Sequence, residues 1–131
     1  MQAVPLRLHP GDDLRGALDA WVLAQGAASA FVLGGIGSLS ELRLRLAGAA
    51  QAQALEGEFE ILTLAGTLSP DGSHLHMSVA DAAGHVLGGH VAPGCVVRTT
   101  AELLLARLPA GTLGRATDAA TGYAELVVRK I

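Results

Sequence analysis

The stretch His74-Leu-His-Met-Ser-Val-Ala-Asp81-Ala-Ala-Gly84-His85-Val-Leu-Gly-Gly-His90-Val91 decides how this chain is read. Asp81-Ala82-Ala83-Gly84 suits a type I turn closed by a left-handed residue. Asp favours the first turn position, and Gly takes a positive φ without steric cost. The product is a three-residue hairpin loop with a bulge at the glycine. It sets Asp81 opposite His85, His76 opposite His90, and His74 opposite Ala92. Side chains alternate faces along a strand. His74, His76, Ser78, Gly88 and His90 therefore share one face, and Leu75, Met77, Val79, Leu87 and Val91 share the other. The apolar set predicts a core contact. The polar set brings three imidazoles within cross-strand reach. A slip of one residue would turn His90 toward the core, so the reading depends on the turn.

Three imidazoles on one strand pair suit a divalent ion. Neutral imidazole binds Zn²⁺ and other borderline metals, and three ligands leave a fourth position open to water or another ligand. The plainer alternative is three polar residues on a wetted strand face. Of the five histidines, His9 and His85 stand apart, and His85 is expected on the core side near the turn, partly exposed. Glu102, just after Thr99-Thr100-Ala101, is a candidate general base or a carboxylate backing the metal ligands. Its alternative is an ordinary surface glutamate. Asp81 serves the turn, and Cys95, among valines, fits a buried inert thiol. Gly34-Gly35-Ile36-Gly37 lacks the spacing of a phosphate-binding loop, and no clear helix follows it. Close strand packing or a bulge explains it better.

Composition narrows the class. The chain has 131 residues, enough for a single domain (1–131) around one core. Half of it is hydrophobic, yet only 3% is aromatic, which points weakly to apolar surface buried between subunits. The net charge is −3 with scattered basic residues, so sequence-independent DNA binding by this chain alone is not expected. Ala27 to Leu39, the most apolar stretch, is too short for a membrane span and is broken by glycines. The start, Met-Gln-Ala-Val-Pro, has no signal-peptide pattern. Cys95 is alone, so no intrachain disulfide forms. A cytoplasmic protein is the expectation.

Along the chain, Val4 to Leu8 alternates as an opening strand. Asp12 or Asp13 can cap a helix through about Gln25, with Leu14, Ala17, Leu18, Trp21 and Val22 on one stripe and Gly26 as the stop. Ala30 to Leu39 reads as a strand with glycines. Leu42, Leu44 and Leu46 alternate with arginines in another strand. Gln51 to Leu55 reads as a short strand, and Phe59 to about Leu68 as a longer one. Ser69-Pro-Asp-Gly72 is a turn. Ala101 to Leu108 has helical propensity, but the Thr and Val residues before it favour strand. Pro109 to Gly122 reads as loop, and Tyr123 to Val128 as a closing strand. The sum is α+β, a mainly antiparallel sheet with one long helix on a face.

Glu56-Gly-Glu-Phe-Glu-Ile-Leu-Thr-Leu-Ala-Gly66, His74-Leu-His-Met-Ser-Val-Ala-Asp81, Gly88-Gly-His-Val91 and Thr99-Thr-Ala-Glu102, in that order, resemble the plants-and-prokaryotes conserved domain, or PPC domain. The resemblance runs from the opening strand to Thr121-Gly-Tyr-Ala-Glu-Leu126. It implies a single α+β domain that assembles as a homotrimer. Among plant nuclear proteins of this kind the domain follows AT-hooks and contacts transcription factors through a Gly-Arg-Phe-Glu-Ile-Leu segment. Prokaryotic members are often stand-alone and labelled DNA-binding by association, and some look able to hold zinc on histidines matching His74, His76 and His90. This chain has no Arg-Gly-Arg-Pro hook, and it carries Glu58 where the plant segment has Arg. Both departures weaken the transfer of a DNA or plant-type partner role. The expectation is a stand-alone prokaryotic DNA-binding or regulatory, or protein-interaction, module with a tri-histidine zinc site. The alternative is a metal-dependent, hydrolase-like enzyme with Glu102 as proton acceptor.

Overall fold

The structure, a computed structural model, describes residues 1–130. Its elements run β1 (Gln2–Leu8), α1 (Leu14–Ala24), β2 (Ser29–Arg45), β3 (Gln53–Leu68), β4 (His74–Ala80), β5 (Val86–Val91), β6 (Val96–Leu108), β7 (Leu113–Thr117) and β8 (Ala124–Val128). Six strands form one sheet in the order β1-β6-β2-β3-β4-β5, and β5 also pairs back onto β2. The strands β2, β3, β4 and β5 thus close into a ring. Every pairing is antiparallel. The α+β expectation holds.

Alternation of apolar residues makes these strands, and phase changes in it mark their irregularities. Ala30 and Val32 are buried in β2, then Leu39, then Leu42 and Leu44. The buried positions switch from even to odd and back. Pairing of β2 with β6 shifts register between Val32/Gly34, Gly37/Leu39 and Leu39/Glu41. The first and last of these insert one unmatched residue in β2 and flip its following side chains to the other face, whereas the middle one puts the two extra residues in β6. The two strands expected over residues 30–46 are therefore one bulged strand. The same correction applies to Gln51–Leu55 and Phe59–Leu68, which merge into β3.

The helix starts where the sequence puts it. Asp13 caps it by accepting from the Gly16 amide at 3.1 Å, and its second oxygen accepts from the Gly94 amide at 2.8 Å. Leu14, Leu18 and Val22 are buried, and they join a core that includes Leu39, Leu44, Leu75, Val79, Val91 and Leu105. Residues 101–108 are strand, not helix, because β6 is bonded on both sides, to β1 and β2. β7 was not expected. It pairs with β8 as a separate two-stranded sheet and anchors on the body where the Leu113 amide donates to Ser29 Oγ at 3.0 Å. Among the described residues no helix is long and apolar enough to cross a membrane.

Candidate metal centre

The hairpin that carries the histidines forms as its turn chemistry predicts. The Asp81 amide donates to the His85 carbonyl at 2.9 Å, and Gly84 takes φ +83°. Asp81 Oδ1 accepts from the amides of Ala83 and His85, each at 2.9 Å. His76 stands opposite His90. Leu75, Met77, Val79 and Val91 are buried, and Leu87 packs against the core. Two details differ from expectation. Past His90 the strand β5 turns toward β2, so the Ala92 amide donates to the Arg43 carbonyl, and His74 has Thr67 of β3 as its cross-strand partner. His85 lies in the bulge ahead of β5, not on the core face. It is exposed and stands 3.4 Å from Asp81.

Two close approaches bring the strands together. Gly66, at φ +154°, lies against the His74 backbone, where any Cβ would collide with the His74 carbonyl. A Cβ on Gly89 would stand 2.7 Å from the Arg45 carbonyl. Larger residues would hold β3 from β4 and β5 from β2 at the histidines.

The three imidazoles form one cluster. One nitrogen from each of His74, His76 and His90 lies within 4.8 Å of the others. His76 Nε2 and His90 Nδ1 are 3.2 Å apart, close to the roughly 3.3 Å that separates two nitrogens on a tetrahedral zinc. The His74 and His90 rings stack at 5.3 Å, and His76 meets both edge-on. His74 and His76 are exposed and His90 is half-buried, so an ion held by them would keep access to solvent. Burial pushes the pKa of His74 below its ordinary value, helped by the charge of Arg115 and then by the other two histidines, while Glu125 opposes the shift. His90 is lowered by burial, then by Arg45 and His76. Both effects keep imidazole neutral near pH 7, the form that binds metal.

Glu102 is not part of this cluster. It sits on β6 opposite Arg7 and Ile36, three strand spacings from β4, or about 14 Å across the sheet. It lines a groove on the outer face with Pro5, Leu6, Ile36 and Leu104. Cys95 is buried, and burial raises its thiol pKa. Glu58 pairs with Arg98 at 2.9 Å. Sequence reasoning missed Arg45, Arg115 and Glu125, the charged residues that reach the histidines. Arg115 lies in the stretch read as loop and Glu125 in the strand read over Tyr123–Val128, and nothing in the residue pattern showed that the two pair as a hairpin.

The family model of the Plants and Prokaryotes Conserved (PCC) domain matches residues 1–109. The chain belongs to the PCC domain family. The β7–β8 hairpin lies beyond the matched part of this PCC chain. Over all 131 residues the chain is 46% identical to part of the Bifunctional protein GlmU of Synechococcus sp. (strain JA-3-3Ab). It spans about a fifth (21%) of that relative's length. A hypothetical protein of Salmonella enterica has a solved structure that matches with a TM-score of 0.93 and 43% identity, covering 98% of this chain and 93% of that one. A metal-containing protein of Archaeoglobus fulgidus matches with a TM-score of 0.78 over 97% of this chain and 94% of its own, at 23% identity. At that identity the likeness shows the fold alone.

Proposed function

We propose that this PCC-domain protein holds one divalent metal ion, zinc first, on His74, His76 and His90, and works as a cytoplasmic binding or regulatory module. The convergence of three imidazole nitrogens within 4.8 Å carries this reading. The metal-containing archaeal protein of the same fold supports it. The test is metal content per chain, by elemental mass spectrometry, of protein purified without a His tag. About one zinc per chain is expected, and it is lost in His74→Ala/His76→Ala. No bound metal after zinc is supplied would overturn the reading.

The assembly that goes with it is a homotrimer. Its support is an apolar outer face on the β1-β6-β2-β3 part of the sheet, where Leu33 is 59% exposed, Ile36 58%, Leu62 48% and Leu104 42%. A protein that stayed monomeric would rarely leave so many large apolar side chains together in water. The alternative, a metal-dependent hydrolase, has the solvent access of the histidines in its favour. It needs a base other than Glu102 of the same chain, and the carboxylate whose charge reaches His74 is Glu125.

A further inference from the structure

Two arginines frame the histidine cluster from opposite sides. Arg45 of β2 is the cross-strand partner of His90, so both side chains project from the same face a few ångströms apart. On the far side, Thr67 of β3 is the cross-strand partner of His74, and the Arg115 guanidinium donates to the Thr67 hydroxyl at 2.7 Å. The Arg115 backbone is itself fixed, its amide donating to Asp71 Oδ2 at 2.9 Å. Among the described residues neither arginine lies within salt-bridge distance of a carboxylate. Arg45 spends one donor on the Ala49 carbonyl at 3.2 Å. Each guanidinium carries five N–H donors in a fixed fork, so most remain free. Ala65, the cross-strand partner of His76, is exposed and offers only a methyl group beside the cluster.

Charge decides what this frame is for. A divalent ion on three neutral imidazoles keeps its full double charge, unlike one held by carboxylates or thiolates. Two guanidinium groups add to it. Glu125 is the one carboxylate whose charge reaches His74, and its influence is the weakest of those acting there. With the ion bound, the site would carry an excess of positive charge that Glu125, and Asp71 beside the Arg115 backbone, offset only in part. A water ligand would leave that excess in place.

We propose that the fourth metal position takes an oxyanion, a carboxylate or phosphoryl-type group, with one oxygen on the metal and the remaining one (carboxylate) or two (phosphoryl) accepting from Arg45 and Arg115. This inference rests on the tri-histidine metal site. Arginine matches such groups because its paired N–H donors align with two oxygens. Arg115 belongs to the hairpin beyond the region matched to the family, so the anion clamp is assembled from two parts of the chain.

The test uses the full chain loaded with Co²⁺, whose visible spectrum reports its ligands, titrated separately with acetate and with methylphosphonate. The wild type is compared with Arg45→Gln, Arg115→Gln and the corresponding Lys variants, and cobalt content is measured in every sample. The expected result is a saturable spectral change with at least one anion. Its affinity falls about tenfold or more in each Gln variant and less in each Lys variant, at unchanged cobalt content. Which anion binds tighter separates a carboxylate from a phosphoryl source. Full cobalt loading with no spectral response to either anion, or equal affinity in all variants, overturns the anion site and leaves the metal site standing. Failure of cobalt to load at all overturns both.

Discussion

At His74 and His90 the fold has made two imidazoles harder to protonate than in the unfolded chain. Burial is the main cause at each, followed by an adjacent arginine, Arg115 for His74 and Arg45 for His90. The direction has a consequence for stability. Both folded pKa values lie below the ordinary 6.5, so as pH falls the unfolded chain takes up these protons first. The stability of the metal-free protein is therefore full above about pH 6.5 and declines as pH drops below it. Urea midpoints between pH 7.5 and 5.0 measure this, and His74→Gln/His90→Gln should flatten the decline. The histidines themselves were legible in the sequence, because a turn of unambiguous chemistry fixed their register. The arginines were not. Arg45 reaches the site only because β5 changes partners, and Arg115 only because a distant hairpin folds over Thr67. Neither event leaves a local mark in the residue pattern.

The elements were legible in proportion to how regularly their apolar residues recur. The helix has both an end signal and a periodic stripe, and it forms within a residue or two of expectation. Its cap has a second duty, since Asp13 holds the Gly94 amide as well as that of Gly16. Asp13→Ala should accordingly destabilise the protein by about 1–2 kcal/mol, the upper part of the usual range for a lost cap. Urea unfolding measures it, and Asp13→Asn or Asp13→Ser should recover much of the loss. The long strands were harder to read because bulges reset their alternation, so each looked like two. β7 was missed for another reason. Leu113-Gly-Arg-Ala-Thr117 has one large apolar residue and a glycine, too little signal to separate it from loop. Glu102 stayed open between a base and a surface residue because adjacency to Thr99-Thr100 says nothing about distance across a sheet.

For the whole molecule, composition carried a hint that the structure makes local. A chain rich in Leu, Val and Ala but poor in aromatics has to place much apolar surface somewhere, and the outer face around Ile36 is where this one leaves it exposed. If that face joins copies of the chain, sedimentation at micromolar concentration should give three times the chain mass. Ile36→Glu/Leu104→Glu should then sediment as a monomer with its hairpin fold intact. An unchanged mass in the double variant would remove this face from the assembly. The ring of β2, β3, β4 and β5 bears on a different property, the lability of anything bound there. Fluctuations that open a hairpin start at its tip, which here is the exposed Asp81–His85 turn. They run inward until they meet His90, where β5 is bonded to β4 on one edge and to β2 on the other. The second ladder is expected to stop the unzipping there. An ion held by the three imidazoles would leave by exchanging its ligands one at a time through the solvent side, and its residence would be set by coordination chemistry rather than by the breathing of the strands beneath it.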